Sequence, residues 1–436
     1  MHSKPEFQVS LYRATSRAET VALVVAILSA LTFVLTQAVQ AQSFTVLYNF
    51  TGGADGGYPL AGLTMDRAGK LYGTTSFGTS APYCGTVFSL ANGNFGWVFD
   101  TLHSFAGGGD GCSPYSPVTI GPDGSLYGTT YTGGIDGVGT VFNVRPPAAA
   151  CHSGSCIWAE TVIYDFTGGG DGASPAYDGL VFDRAGNIYG TAHLGGYTGG
   201  HCAVYGGCGT VFQLVPTQGN WTENTLHIFM GEPDGSNPVG VILDQRGDLY
   251  GLTSGGGSGG PVVDYGYYGT VFQLTPSGNE WIEKILHNFT SGSDGGYPWA
   301  GLVFDQTGNL YGATSYGGAN NFGTLFELSP EAGGWSFSAV YNFTDGPPIS
   351  LVMDAAGNLY GNAMGGAYDC GFVFKLTPSS GGWAFTSLHD FSSGDGCYPQ
   401  RNPTVDANGN LYGTTSEGGT GSACRYGCGV VWEITP

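Results

Sequence analysis

From residue 44 onward the chain is a succession of short runs in which apolar and polar residues alternate, cut by clusters of Gly, Asp and Pro. Phe44-Thr-Val-Leu-Tyr-Asn-Phe50 is the first such run, and its period of two predicts a half-buried strand. Ala61 to Met65 and Leu71 to Ser76 read as a hairpin around Asp66-Arg-Ala-Gly69, because Asp and Gly supply the side-chain bond and the positive φ of a tight turn. Gly85 to Leu90 predicts a third strand and Trp97 to Phe105 a fourth, after which Gly108-Gly-Asp-Gly111 restarts the cycle. No 3.6-residue periodicity appears after residue 41.

The cycle recurs seven times. Its Leu-Tyr-Gly strand centres on Tyr72, Tyr127, Tyr189, Tyr250, Tyr311, Tyr360 and Tyr412. The Gly-Thr-Val-Phe strand ends at Phe88, Phe142, Phe212, Phe272, Phe326, Phe374 and Trp432, and the Leu-His-x-Phe strand at Phe50, Phe105, Phe166, Phe229, Phe289, Phe343 and Phe391. Units of this size cannot bury their apolar faces alone and must stack. Four antiparallel strands per unit and seven units predict an all-β, seven-bladed β-propeller over residues 42–436. The chain opens on a fourth-type strand and stops after a third-type one, so the N-terminal strand is expected to join the C-terminal blade and close the ring, removing two open sheet edges.

Composition and charge narrow the function. A net charge of −21 argues against nucleic acid and anionic membrane surfaces. Lys4, Arg13 and Arg17 precede an apolar stretch from Val21 to Leu35 and then Ala38-Val39-Gln40-Ala41, which reads as a signal peptide cut after Ala41. The mature protein is then expected to be secreted, periplasmic or at the cell surface, monomeric, and without membrane insertion. The ten cysteines form five local pairs: Cys84 with Cys112, Cys151 with Cys156, Cys202 with Cys208, Cys370 with Cys397, and Cys424 with Cys428. Such pairing is expected of disulfides in an exported chain. A zinc site is disfavoured by the lack of any Cys-x-x-Cys.

Gly301-Leu-Val-Phe-Asp305, Gly308-Asn-Leu-Tyr-Gly312, Gly323-Thr-Leu-Phe326 and Trp335 resemble the tandem repeat of the choice-of-anchor GloVer family of secreted bacterial proteins. The resemblance spans residues 44–436 and implies an exported repeat protein with no assigned catalytic residue. Pro117 to Thr130, with Gly121-Pro-Asp-Gly124, is similar to one hairpin of streptogramin-lyase-like propellers.

Candidate chemistry lies in what departs from the repeat. The loops between second and third strands span 12, 11, 19, 18, 11, 10 and 16 residues, Gly to Gly. The three long ones hold His193, Tyr197, His201 and Tyr205; Asp264, Tyr265, Tyr267 and Tyr268; and Glu417, Arg425 and Tyr426. Aromatic residues with Gly and a few charges on loops of a rigid scaffold suit sugar stacking or a protein partner. The expected function is therefore a non-catalytic module binding an extracellular glycan or protein through one face. The alternative is a lyase or hydrolase using His193, His201, Glu417 and Arg425 at the channel mouth. The repeated Asp residues read as turn formers and the His of Leu-His-x-Phe as packing, since Tyr replaces it in other blades. No cofactor is expected, with calcium at the Gly-Gly-x-Asp-Gly loops as the candidate exception.

Overall fold

The structure is a computed structural model that describes residues 42–78, 83–147, 158–258 and 268–435. The proposed signal peptide lies outside these residues, as do Asp264, Tyr265 and Tyr267.

One blade shows why the repeat folds as it does. Its strands are Thr64–Met65, Leu71–Thr75, Thr86–Gly93 and Gly96–Ser104, paired antiparallel in that order. Every residue of the second strand is buried, whereas the fourth alternates exposed and half-buried. The second strand is thus covered on both faces by neighbouring blades, and the fourth forms the outer rim. Seven such sheets make the ring, and the described residues are all β apart from two short helical turns, Gly108–Asp110 and Cys202–Tyr205.

Closure is as the chain ends predict. Ser43–Asn49 pairs with Val430–Thr435 as the outer strand of the last blade. The backbone N–H of Phe50 donates to Gly429 at 3.1 Å, and Thr420 donates to the Asn49 side chain at 3.0 Å.

The motif residues are interblade contacts. In all seven interfaces the Phe ending a fourth strand meets the aromatic ring ending the next blade's third strand, from Phe229/Phe272 at 5.1 Å to Phe391/Trp432 at 5.8 Å. The remaining five pairs fall between, at 5.1–5.2 Å. That third-strand ring also lies over the glycine of its own Leu-Tyr-Gly: a Cβ at Gly73 would come within 2.6 Å of Phe88, and one at Gly413 within 2.3 Å of Trp432. The Tyr of Leu-Tyr-Gly packs edge-on against the Trp of the next blade's outer strand, as in Tyr250/Trp335 at 5.8 Å. Its hydroxyl donates to the hairpin Asp, as in Tyr72 to Asp66 at 3.2 Å. Burial, reinforced by those aspartates, pushes the hydroxyls of Tyr72, Tyr127 and Tyr360 up to about 12.

Four disulfides join the predicted partners: Cys84–Cys112, Cys202–Cys208, Cys370–Cys397 and Cys424–Cys428. The fifth expected pair differs from these. Both Cys151 and Cys156 fall outside the described residues, so the link between them stays an expectation of the sequence. Cys84–Cys112 and Cys370–Cys397 each tie a second-to-third loop to the following interblade loop, so both loop types share one face of the ring.

Candidate functional site in the channel

The first strand of each blade lines the channel. Measured from the Gly of the preceding loop to the first residue of the hairpin turn, this segment spans 10 residues in the first blade (Gly56 to Asp66) and also in the second, fifth and seventh. It spans 11 in the third (Gly172 to Asp183), 9 in the fourth (Gly235 to Asp244) and 8 in the sixth (Gly346 to Asp354). The extra residue of the third blade is accommodated between the strands Ala173–Pro175 and Val181–Phe182, where Tyr177 adopts φ 80°. Such a conformation costs a non-glycine residue on the order of 1–3 kcal/mol. The bulge carries Asp178 into the channel against the shortened fourth blade: a Cβ at Gly240 would lie 2.2 Å from the Asp178 Cβ.

Across the channel, the seventh blade contributes Arg401. Its guanidinium carbon lies 4.8 Å from the Tyr177 ring centroid and 5.8 Å from that of Trp299, and Nη1 donates to the Trp299 carbonyl at 3.1 Å. His193, on the strand Ile188–Leu194, meets Tyr177 edge-on at 4.8 Å. Its Nδ1 lies 3.3 Å from the Pro238 carbonyl, a contact that places the proton on Nδ1 and leaves Nε2 as acceptor.

Enclosure by the inner strands sets the electrostatics, although Asp178, Arg401 and His193 keep part of their surface open to the channel. Burial pushes the Asp178 carboxyl up, opposed by the Arg401 charge and the Gly179 N–H. Burial lowers His193 to about 4, opposed by the Pro238 carbonyl, so the imidazole is neutral near pH 7. Burial also lowers Arg401, opposed by Asp178 and Tyr177, but a guanidinium stays cationic. No ion pair within 4.0 Å holds Arg401 among the described residues.

A cavity of about 240 Å³ adjoins this layer, lined by Asp178, Arg401, Asn402 and the inner strands around Thr64, Thr119 and Thr404. These threonines stand near the hairpin ends of inner strands that run from the long-loop face to the hairpin face, so the cavity lies on the hairpin side. A larger groove of about 920 Å³ passes Asn224 and Trp281 on the outer edge of the third and fourth blades, but Glu280 is the one charged residue lining it.

Of the long-loop candidates, Asp264, Tyr265 and Tyr267 lie outside the described residues. Tyr197 is exposed, and His201 stands at the N-cap position of the short helix Cys202–Tyr205 without a side-chain cap hydrogen bond. Tyr268 meets Tyr297 at 5.7 Å. Glu417 ends the strand Leu411–Glu417 opposite Cys397, and burial raises its carboxyl. Arg425 stacks on the exposed ring of Tyr426 at 5.0 Å. Of the residues proposed for catalysis, His193 belongs to the channel layer, not to its loop. Tyr177, Asp178, Trp299 and Arg401 were not singled out by sequence reasoning, although the 11- and 9-residue segments were countable.

Solved structures with a similar fold include the extracellular domain of a B. thetaiotaomicron protein assigned as a one-component system, with TM-score 0.54 and 13% identity, covering 89% of this chain and 40% of that one. The periplasmic gluconolactonase of Pseudomonas aeruginosa is a weaker likeness, with TM-score 0.48 and 13% identity over 91% of this chain and 99% of that one. A Xanthomonas campestris gluconolactonase has TM-score 0.38 and 16% identity over 72% and 82%. At these identities the likeness concerns the fold alone. No curated protein matches the chain. The repeat pattern described above matches over residues 32–205 and 260–436, most of the sequence, and the chain belongs to the Gloeobacter/Verrucomicrobia repeat family.

Proposed function

We propose that this chain is an exported binding module whose channel holds a carboxylated sugar, free or terminal on an extracellular glycan. The observation that carries the reading is the Arg401 guanidinium, placed beside the Tyr177 and Trp299 rings at the edge of a cavity and, among the described residues, in no ion pair within 4.0 Å. A planar cation recognises a carboxylate bidentately, and flanking polar groups suit sugar hydroxyls. At about 240 Å³ the cavity falls below the roughly 300–1,000 Å³ of drug-sized sites, as a single sugar residue requires. Four disulfides in a chain of this kind are consistent with an oxidising compartment.

Calorimetry with monomeric uronates, oligouronates and their neutral counterparts tests this. Binding of the acidic sugars only, lost in Arg401→Gln with the melting temperature retained, is the expected result. Equal binding of neutral sugars, or full binding by the variant, overturns it. The long-loop residues, including Asp264, Tyr265 and Tyr267, are a second proposed surface for a glycan or protein. Tyr426→Ala should leave channel binding unchanged.

A lyase or hydrolase remains the second reading, favoured by the raised Asp178 carboxyl and the neutral His193. A carboxyl raised by burial, a free imidazole nitrogen and a cation are the components of acid–base chemistry. Release of unsaturated or reducing ends from polyuronates, abolished in Asp178→Asn with binding retained, would establish it.

A further inference from the structure

At each blade interface the His or Tyr of Leu-His-x-Phe faces one residue on the next blade's outer strand. In four interfaces that residue is a stacked Phe: Tyr48/Phe99 at 4.2 Å, His287/Phe337 at 3.9 Å, Tyr341/Phe385 at 5.8 Å and His389/Phe44 at 3.6 Å. In the three consecutive interfaces from the first to the fourth blade it is Glu160, Glu223 or Glu283. Their register is the same, since Phe99, Glu160, Glu223 and Glu283 pair with Leu90, Val144, Leu214 and Leu274.

Two of these interfaces combine the Glu with a His and the loop Asp. His103, Asp110 and Glu160 form one triad, and His227, Asp234 and Glu283 the other; within each, one donor atom per residue lies within 4.8 Å of the other two. His227 Nε2 is 3.2 Å from Asp234 Oδ2 and 3.6 Å from Glu283 Oε1. His103 Nε2 is 3.2 Å from Asp110 Oδ1, yet the geometry does not make a hydrogen bond. That nitrogen and the Oε1 atoms of Glu160 and Glu283 are buried with no hydrogen-bond partner. The interface between the triads differs on both counts. Tyr164 takes the place of His and donates to Asp171 at 3.0 Å, while Glu223 accepts the Thr225 hydroxyl at 2.9 Å.

We propose that the two His–Asp–Glu triads are divalent transition-metal sites, with zinc as the fitting ion, joining the first blade to the second and the third to the fourth. Zinc takes imidazole nitrogen and carboxylate oxygen at roughly 2.0–2.2 Å in a tetrahedron, which sets donors about 3.3–3.5 Å apart. The 3.2 and 3.6 Å separations around His227 are close to that edge, and the remaining one, between Asp234 and Glu283, lies within 4.8 Å. One cation offsets the two carboxylates, gives each orphaned oxygen a partner, and leaves a fourth position for water.

Untagged mature protein, stripped with chelator and returned to Zn²⁺ at pH 7.5, tests this by metal analysis after gel filtration and by Co²⁺ absorption. Two equivalents are expected, with the d–d intensity of tetrahedral cobalt. Glu160→Gln and Glu283→Gln should each leave one, the double variant none, and Glu223→Gln two. No retained metal in the parent, or undiminished metal in either single variant, overturns the proposal. Because each single change is isosteric and affects one interface, the result does not depend on the double variant folding.

Discussion

His287 Nε2 lies 3.1 Å from Asp294 Oδ2, and in another blade the Tyr48 hydroxyl donates to Asp55 Oδ2 at 3.0 Å. The interchange of His and Tyr around the ring therefore has a physical cause beyond packing. Either side chain delivers one donor to the carboxylate of the following loop, which also accepts that loop's own N–H groups, such as Thr51 at 2.8 Å and Thr290 at 3.0 Å. The contact recurs at Tyr164/Asp171, His227/Asp234 and His389/Asp395.

The substitution His287→Tyr should accordingly change stability little, whereas Asp294→Ala should cost about 1–3 kcal/mol by leaving donors unpaired. Burial alone would raise the Asp294 carboxyl, but hydrogen bonds from His287 and Thr290 outweigh it and hold it below the usual range. A carboxyl lowered in the folded state contributes stability above its unfolded value, about 3.9, and loses it as pH falls through the folded value. Thermal melts from pH 6 to pH 2 should therefore show a shallower acid limb in Asp294→Asn than in the parent.

Deleting residues 42–50 removes the strand that completes the last blade and leaves Val430–Thr435 as an open edge. It also removes Phe50 from a fully buried interblade cluster. Loss of cooperative melting and aggregation are expected in calorimetry. A truncated protein that melts as the full chain does would refute ring closure.

Gly240→Ala should disrupt the channel, since the added methyl meets Asp178 at 2.2 Å and overpacking of this kind costs about 1–3 kcal/mol. Gly334→Ala, where an added Cβ meets nothing within 4 Å, is the control. Denaturant titration of both variants separates the two positions. Acidic-sugar binding should fall in the first alone.

The disulfides should contribute unequally. Cys84–Cys112 closes 28 residues and Cys424–Cys428 closes 4. The chain-entropy model then gives about 3.5 and about 2 kcal/mol, read from chemical denaturation of Cys→Ser pairs. Peptide mapping without reduction should recover both links, together with the expected one between Cys151 and Cys156.

The ring was legible in the chain alone. Period-two strands, seven copies of three aromatic motifs and complementary chain ends leave few other ways to bury three rings per unit. Even the links between Cys84 and Cys112 and between Cys370 and Cys397 followed from their repeated positions, because a repeat carries its geometry with it. The site was a different matter. Asp178 and Arg401 are 223 positions apart in the chain and become neighbours only when seven inner strands converge on one axis. Their chemistry also depends on enclosure, which no residue's identity records. Likewise Glu160 looks like an ordinary rim residue until the next-blade contact sets it against His103 and Asp110. Local pattern dictates the blades, because each is built from contacts near in sequence. What converges on the axis and across the interfaces is decided by ring closure, which brings distant residues into one low-dielectric space.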